Sequence, residues 1–506
     1  MRNRVSTFAC FFFLNFCIQA QVIPYGEEFQ VNTHTEGRQS GPAVSYLSNG
    51  GFIICWTSDH QDSSDSGIYG QLYDNNGTKQ GSEFRINTYT KSAQWFPKVT
   101  SLHDEGFVAC WTSADQDGSD LGIFAQLFNN DGTRRGPEFQ VNTYTRHSQS
   151  RPAITNLPND NFVICWNSDI QDGSKHGIYG QLFNNNGTKQ GQEFQVNTYT
   201  EDDQDIPEIY HFSDGGFVIC WRSIGQDESG YGIYGQSFNS NGQKQGQEFQ
   251  VNTYTKSEQI SQDITVLADD SFIICWTSNW QDGSYFGVYA QLFNRDGKKQ
   301  GSEFLVNTYT NNSQRSPAVG KLSNGGFVIC WSSDGQDGSN FGIYGQLYTD
   351  KCLKIGAEFQ VNGHTEGYQM QPVICHTLEN RFIICWQDND ASGNRSDIFG
   401  RYYSTITTCT NVADPLRIID TFTLSPNYPN PFNPKTTIAF TLNQTQYVDL
   451  SIIDTSGRIV TTLKHAVMAS GNHKITWDAS DQASGIYFVQ LKTANDVLTR
   501  KMILAK

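Results

Sequence analysis

The chain is poor in methionine, proline and charge, with 4 Met, 14 Pro and 17% charged residues in 506. Beside 46 Gly and 33 Phe, so little Met and Pro argues against a helical array and for strands joined by tight turns. Basic residues are scarce: 35 Lys and Arg face 51 Asp and Glu, for a net charge of −16. A nucleic-acid binder needs basic stripes to displace counterions, so that class is excluded. Past the N-terminus no run is long and apolar enough for a transmembrane helix. Aromatics, at 13%, are too frequent for a disordered chain. The length exceeds one simple core, so several domains or a repeat are expected.

The first twenty residues stand apart. Arg2 and Arg4 precede an apolar run from Phe8 to Ile18, and the small residue Ala20 ends it. This reads as a secretory signal peptide over residues 1–20, cleaved near Ala20–Gln21. A lipoprotein reading at Cys17 meets bulky Phe16 where a small residue is needed. Cleavage removes two arginines and two cysteines, leaving 33 − 51 = −18 and ten of the 12 cysteines. The mature chain is expected to be soluble and exported.

What fills the rest is a repeat. The phenylalanine of EFQVNT recurs at Phe29, Phe84, Phe139, Phe194, Phe249, Phe304 and Phe359, in steps of 55. A Cys-Trp pair recurs at the same step, at Trp56, Trp111, Trp166, Trp221, Trp276, Trp331 and Trp386. Such a period fits propeller blades or a helical array. Each unit holds four short strand-like runs; in the first they are Glu28–Asn32, Pro42–Leu47, Gly51–Thr57 and Ile68–Tyr73. Phe52, Ile54 and Trp56 alternate with Ile53 and Cys55, so both strand faces are apolar and both must be covered. Stacked blades supply two buried faces. Asn49-Gly50 and Asn76-Gly77 supply turns. The expected fold is all-β: a seven-bladed β-propeller over residues 21–404. The first unit has no blade before its EFQVNT strand, and the seventh has no such strand after it. Placing Glu28–Thr33 outermost in the last blade closes the ring and removes an edge. An open array would leave both terminal blades incomplete.

Recurring polar residues fall mostly on one rim. Gln39, Gln94, Gln149, Gln204, Gln259, Gln314 and Gln369 occupy one position in all seven units. Asp62, Asp117, Asp172, Asp227, Asp282 and Asp337 recur in six, and the seventh has Ala391-Ser392 instead. Tyr89, Tyr144, Tyr199, Tyr254 and Tyr309 follow an Asn-Thr pair in five, with His34 and His364 in the other two. These residues form a candidate glycan-type binding ring. A structural role is the competing explanation, because residues present in every blade are what a scaffold requires. A specific site would draw on positions that differ between blades, such as residues 34–38 and their equivalents, or Trp95, Tyr231 and Trp280.

Seven cysteines share the repeat: Cys55, Cys110, Cys165, Cys220, Cys275, Cys330 and Cys385. Equivalent points on stacked sheets lie about 10 Å apart, beyond the roughly 7 Å Cα limit of a disulfide. They are expected as small buried residues between blades. Cys352, Cys375 and Cys409 are extra, and a Cys375–Cys385 bridge stays open. No cofactor is expected. The residues around Asp62 vary too much for a general calcium cage, which leaves isolated sites at Asp59–Asp65 and Asp115–Asp120 open. No GxSxG, HExxH or phosphate-binding loop occurs, and no single carboxylate pair stands out on the rim.

After a linker at 405–420, residues 421–506 change character. FTLSPNYPNPFNPKTTIAFTL is followed by four alternating runs separated by Ser456-Gly457 and Ser484-Gly485, the pattern of a small β-sandwich. Asn427, Pro429, Pro431, Phe432, Pro434, Gly457, Gly485, Tyr487, Lys501 and Lys506 mark the stretch. It closely resembles the type A sorting domain of the bacterial type IX secretion system. The resemblance implies export past the outer membrane, contact with the secretion machinery, and release or attachment at the cell surface. More loosely, the blades resemble Gly-Gly-Phe-Val-x-x-Trp repeats of bacterial surface and adhesin-like proteins, which implies binding. The expected function is a non-catalytic, exported binding or adhesion module for a glycan or surface protein. The alternative is a secreted hydrolase of polysaccharide.

Overall fold

The computed structural model describes residues 18–409, except 104–105, 159, 378–380, 391 and 394, and residues 423–506, except 425–426, 443–445, 456–457 and 494–496. The described residues form strands and no helix. Two compact units divide near Thr410.

Six four-stranded antiparallel sheets follow one another in the N-terminal unit. In the first, Gln39–Tyr46 is innermost, then Phe52–Asp59, Ser66–Tyr73 and the outermost Lys79–Arg85. The outermost strand thus begins five residues before Phe84. The sequence pattern places its start at the glutamate, because Lys79-Gln80-Gly81 reads as loop. The seventh sheet has Tyr368–His376, Arg381–Asn389 and Ser396–Cys409. Phe29–Gln30 completes it, pairing with Phe399 and Gly400. The opening residues therefore close the ring. Beyond them, Ile18–Pro24 pairs with Tyr403–Cys409, and the expected signal-peptide boundary at Ala20 falls within this strand. Residues 1–17 of that peptide, and linker residues 410–420, lie outside the described residues.

Sequence alternation explains the stacking. One face of the third blade (Val163, Cys165, Ile178) packs on the opposite face of the fourth (Phe217, Ile219, Trp221). The same pairing joins Ile383 and Cys385 of the seventh blade to Phe52, Ile54 and Trp56 of the first, across the closing seam. The seven tryptophans of the repeat are fully buried. Full burial of each such side chain stabilises by about 1.5–3 kcal/mol. The seven register cysteines are free and buried between blades, where desolvation pushes their thiols well up. Cys375 and Cys385 are both unbridged. Their strands pair so that Cys385 faces Val373 and Cys375 faces Ile383, which answers the question left open above.

The second unit is a sandwich of a three-stranded sheet (Thr423–Leu424, Lys435–Leu442, Gly471–Asp478) on a four-stranded one (Ile459–Met468, Gln446–Ile453, Gly485–Lys492, Val497–Leu504). Its core includes Phe432, Phe440, Leu450, Trp477, Val489 and Met502.

Candidate functional site

The repeated rim residues are wired into the scaffold. All seven glutamines are 0% exposed. Gln94 Nε2 donates to the carbonyls of Lys91 (3.2 Å) and Ser92 (3.1 Å), and its Oε1 accepts from Asn87 Nδ2 at 3.0 Å. Asn87 Oδ1 in turn accepts from the Ile68 amide at 2.8 Å, ending the outer strand and locking the loop. The Asn-Gln contact recurs at Gln149, Gln204, Gln259, Gln314 and Gln369.

The aspartates are half-buried. Asp62 Oδ1 accepts from the Ser64 amide at 3.1 Å, and Asp117, Asp172, Asp227, Asp282 and Asp337 repeat this. The other oxygen lies against a glycine: a Cβ on Gly67 would sit 2.8 Å from Asp62 Oδ2. Burial raises the Asp227 carboxyl above its ordinary range. In the seventh blade, where the loop has Ser392, the glycine position is Asp397, and its Oδ1 accepts from Asn32 Nδ2 at 2.6 Å. The carboxylate arrives from the strand instead of the loop. Tyr89, Tyr144, Tyr199, Tyr254 and Tyr309 are half-buried, and their main-chain carbonyls accept from the loop asparagines.

One repeated residue went unread in the sequence: the glutamate before each outer-strand phenylalanine. Glu138 Oε2 accepts from the Thr88 amide of the preceding turn at 2.6 Å, and its Oε1 accepts from Gln116 Nε2 at 2.5 Å. Glu83, Glu193, Glu248, Glu303 and Glu358 make the same two contacts. Each ties one blade to the turn entering it. In the loops where calcium stayed open, Asp59 accepts from Ser66 Oγ at 2.9 Å and Asp115 from Ser92 Oγ at 2.8 Å. Among the described residues no three His, Cys, Asp or Glu side chains group as metal ligands.

Residues that differ between blades converge instead on the central channel. Every innermost strand bulges two residues after its glutamine, and the bulge residue is left-handed in all seven blades, with φ between +53° and +59°. Gly41 takes that conformation freely; Phe96, Arg151, Ile206, Ser261, Ser316 and Gln371 do not. Left-handed non-glycine backbone costs about 1–3 kcal/mol per residue and clusters at functional sites. Four of these bulge residues, Gly41, Phe96, Arg151 and Gln371, line a mouth cavity of about 640 Å³ together with Arg38 and Trp95. Phe286 and Arg315 line an adjoining cavity. Guanidinium groups stack on rings here: Arg151 on Phe96 at 4.6 Å, Arg222 on Tyr231 at 4.3 Å and Arg315 on Phe341 at 4.2 Å. Arg222 also pairs with Asp205 through two hydrogen bonds, at 2.5 and 2.8 Å. Of the aromatics singled out in the sequence, Trp95 lines the mouth cavity and Tyr231 stacks under Arg222. The third, Trp280, is exposed in a rim loop beside Tyr285.

Below the mouth, Lys98 Nζ meets Glu208 Oε1 at 2.6 Å. Asp263 Oδ1 and Oδ2 accept from the amides of Ile264 (2.9 Å) and Val319 (2.7 Å). Burial and the Glu208 charge push the Asp263 carboxyl up to about 7. At the far end His211 and His376 line a further cavity with Lys321. Burial, reinforced by Lys321, lowers both imidazoles to about 4.

In the second unit the Pro-rich segment holds the final strand. The Phe432 amide donates to the Ile503 carbonyl at 2.9 Å, the Ala505 amide returns a bond to Phe432 at 3.0 Å, and Asn430 Oδ1 accepts from the Ile503 amide at 2.9 Å. Asn427 is buried and donates to the Pro429 carbonyl and Thr436 Oγ1. Tyr487 is buried, while Pro429, Pro431, Gly485, Lys501 and Lys506 are exposed and Pro434 is half-buried. Gly457 lies outside the described residues. Residues 427–505 match the family of secretion system C-terminal sorting domains. This unit is a type IX sorting domain. It directs the protein to the cell surface or extracellular space and implies contact with the secretion machinery. Among the described residues no helix is long and apolar enough to cross a membrane.

No curated protein matches the chain. Among solved structures it is similar to a Dyadobacter fermentans protein of unknown function (9% identity, 76% of this chain and 99% of that one, TM-score 0.49). It is also similar to PorZ, a surface component of the type IX secretion system of Porphyromonas gingivalis (15%, 94% and 60%, TM-score 0.42). A third is an α-L-arabinofuranosidase of Fusarium graminearum bound to an iminosugar inhibitor (12%, 74% and 98%, TM-score 0.44). Similarity at this level carries no function across.

Proposed function

We propose that the propeller is a non-catalytic binding module that takes a glycan at the mouth of its channel, and that the sorting domain delivers it outward. The carrying observation is the ring of left-handed bulges, which projects Phe96, Arg151 and Gln371 into one cavity beside Trp95. Aromatic faces and guanidinium groups are the usual means of holding sugar rings and their hydroxyls. The rim glutamates are bonded through both oxygens and each rim aspartate is tied to its own loop through Oδ1, which leaves them poor candidates for acid–base work. The reading is tested on the full chain with a glycan array and matched hydrolysis assays. Phe96→Gly and Arg151→Gly place the first blade's own residue at the bulge, so both fold with unchanged or higher stability. Each is expected to weaken the best array hit at least tenfold; unchanged binding removes the mouth from consideration.

One observation favours a second reading, a polysaccharide hydrolase. Glu208 and Asp263 border one cavity, and their surroundings hold them differently: Lys98 pairs with Glu208, while Asp263 is raised to about 7. A carboxylate paired with a lysine beside a carboxyl raised by burial suits a base or nucleophile and its acid partner. Release of reducing sugar that disappears in Glu208→Gln would establish it.

A further inference from the structure

The innermost strands carry four departures from the repeat that fall together in space. The position after the bulge is proline in six blades and Gln262 in the fifth. The next is alanine or valine in four blades, and Lys98, Glu208 and Asp263 in the others. All four departures line a single cavity of about 260 Å³ within the channel.

The fold does not need them. Four blades do without charge here, and withdrawing charged side chains part-way from water brings the fold no gain over the alanine found elsewhere. Gln262 is the more telling case. It is 4% exposed, and its Nε2 donates to the Ile206 carbonyl, which fixes the amide. Its Oε1 then has no partner among the described residues. An unmet buried acceptor costs about 1–3 kcal/mol, and the proline of the other blades would have avoided that cost.

We infer that this part of the channel is a subsite for one sugar ring, with Lys98 donating to its hydroxyls and Glu208, Asp263 and Gln262 Oε1 accepting from them. The inference rests on the mouth being the glycan-binding face and names what passes beneath it. A hydroxyl both donates and accepts, which suits one ammonium set among three acceptors. Lys98 offsets one of the two carboxylates, so the cluster does not select a strongly charged ligand. Pro42, Pro317 and Ala318 line the same cavity and give it apolar wall for the C–H face of a ring.

The test uses the full chain and a panel of free monosaccharides: glucose, galactose, arabinose and N-acetylglucosamine. Saturation-transfer NMR and thermal shift are the readouts. The native protein is expected to respond to at least one sugar. The variant K98A/E208A/Q262P/D263A, which installs the other blades' residues, is expected to melt at the same or a higher temperature and to lose that response at least tenfold. Phe96→Gly and Arg151→Gly are expected to keep the monosaccharide response while losing longer glycans, which separates failure of the subsite from failure of the mouth. If the fourfold variant does not fold, Gln262→Pro alone decides, with a fivefold or greater loss expected. An undiminished response in the folded fourfold variant or in Gln262→Pro, no response to any sugar, or a stronger response to methylammonium chloride would overturn the inference.

Discussion

The rim and the channel of this propeller use polar side chains in opposite ways. On the rim the same Gln, Asn, Asp and Glu stand in almost every blade, and each bonds its own loop or the next blade. In the channel, equivalent positions hold Ala, Lys, Glu, Asp or Val, and the polar ones bond across blades far apart in sequence, as Lys98 does with Glu208. A ring of identical units can make identical loops from identical residues, but it cannot build an asymmetric site from them. Repetition marks support, and departure from it marks the place where something specific can happen.

The largest expected effect tests the supporting half. Gln149→Ala removes acceptor and donor from Asn142 Nδ2 and the Arg146 carbonyl, both within a buried loop. Stripping such partners costs about 3 kcal/mol, read as a lower urea midpoint at unchanged slope. Glycan binding by the folded fraction is expected to stay as in the native chain; a binding loss without a stability loss would return the glutamine ring to the functional side.

A smaller effect tests the seventh blade's exchange. Asp397→Gly alone strands Asn32 Nδ2 from its carboxylate, a loss of about 1–2 kcal/mol. Adding Ser392→Asp rebuilds the arrangement of the other six blades and is expected to restore most of it. A double variant no more stable than the single one would deny that the two carboxylates are equivalent.

A further test is one of pH and concerns the channel. His211 and His376 fall to about 4 in the fold, below an unfolded value near 6.5. Their contribution is present above about pH 6.5 and is lost as pH falls toward 4. Asp263, raised to about 7, works the other way: its contribution is present below about pH 4 and is lost as pH rises to 7. Asp263→Ala therefore leaves the histidine component unopposed. Its melting temperature is expected to drop further between pH 7 and pH 4 than that of the native chain.

Much of the architecture is legible in the sequence because the period never slips. Phe52, Ile54, Trp56 and their copies fix both buried faces, and the orphaned strands at either end require closure. The candidate site was only half legible. Aligning the units exposes Lys98, Glu208, Gln262 and Asp263 as outliers, yet alternation alone does not say which strand is innermost. The bulge shifts the pleat by one residue midway along that strand, so period-two reasoning aims those side chains wrongly. Glu83 and its copies were overlooked because their partners lie fifty residues away, across a blade boundary.

Closure by Phe29 and Gln30 also bears on how the molecule comes into being. Phe29 and Gln30 leave the ribosome long before their partners Phe399 and Gly400, which are among the last of the propeller to be made. Until the two segments meet, the last blade is incomplete and the ring cannot lock. A polypeptide bound for passage across a membrane gains from that delay, since the event that seals it is postponed until nearly the whole propeller has been synthesised.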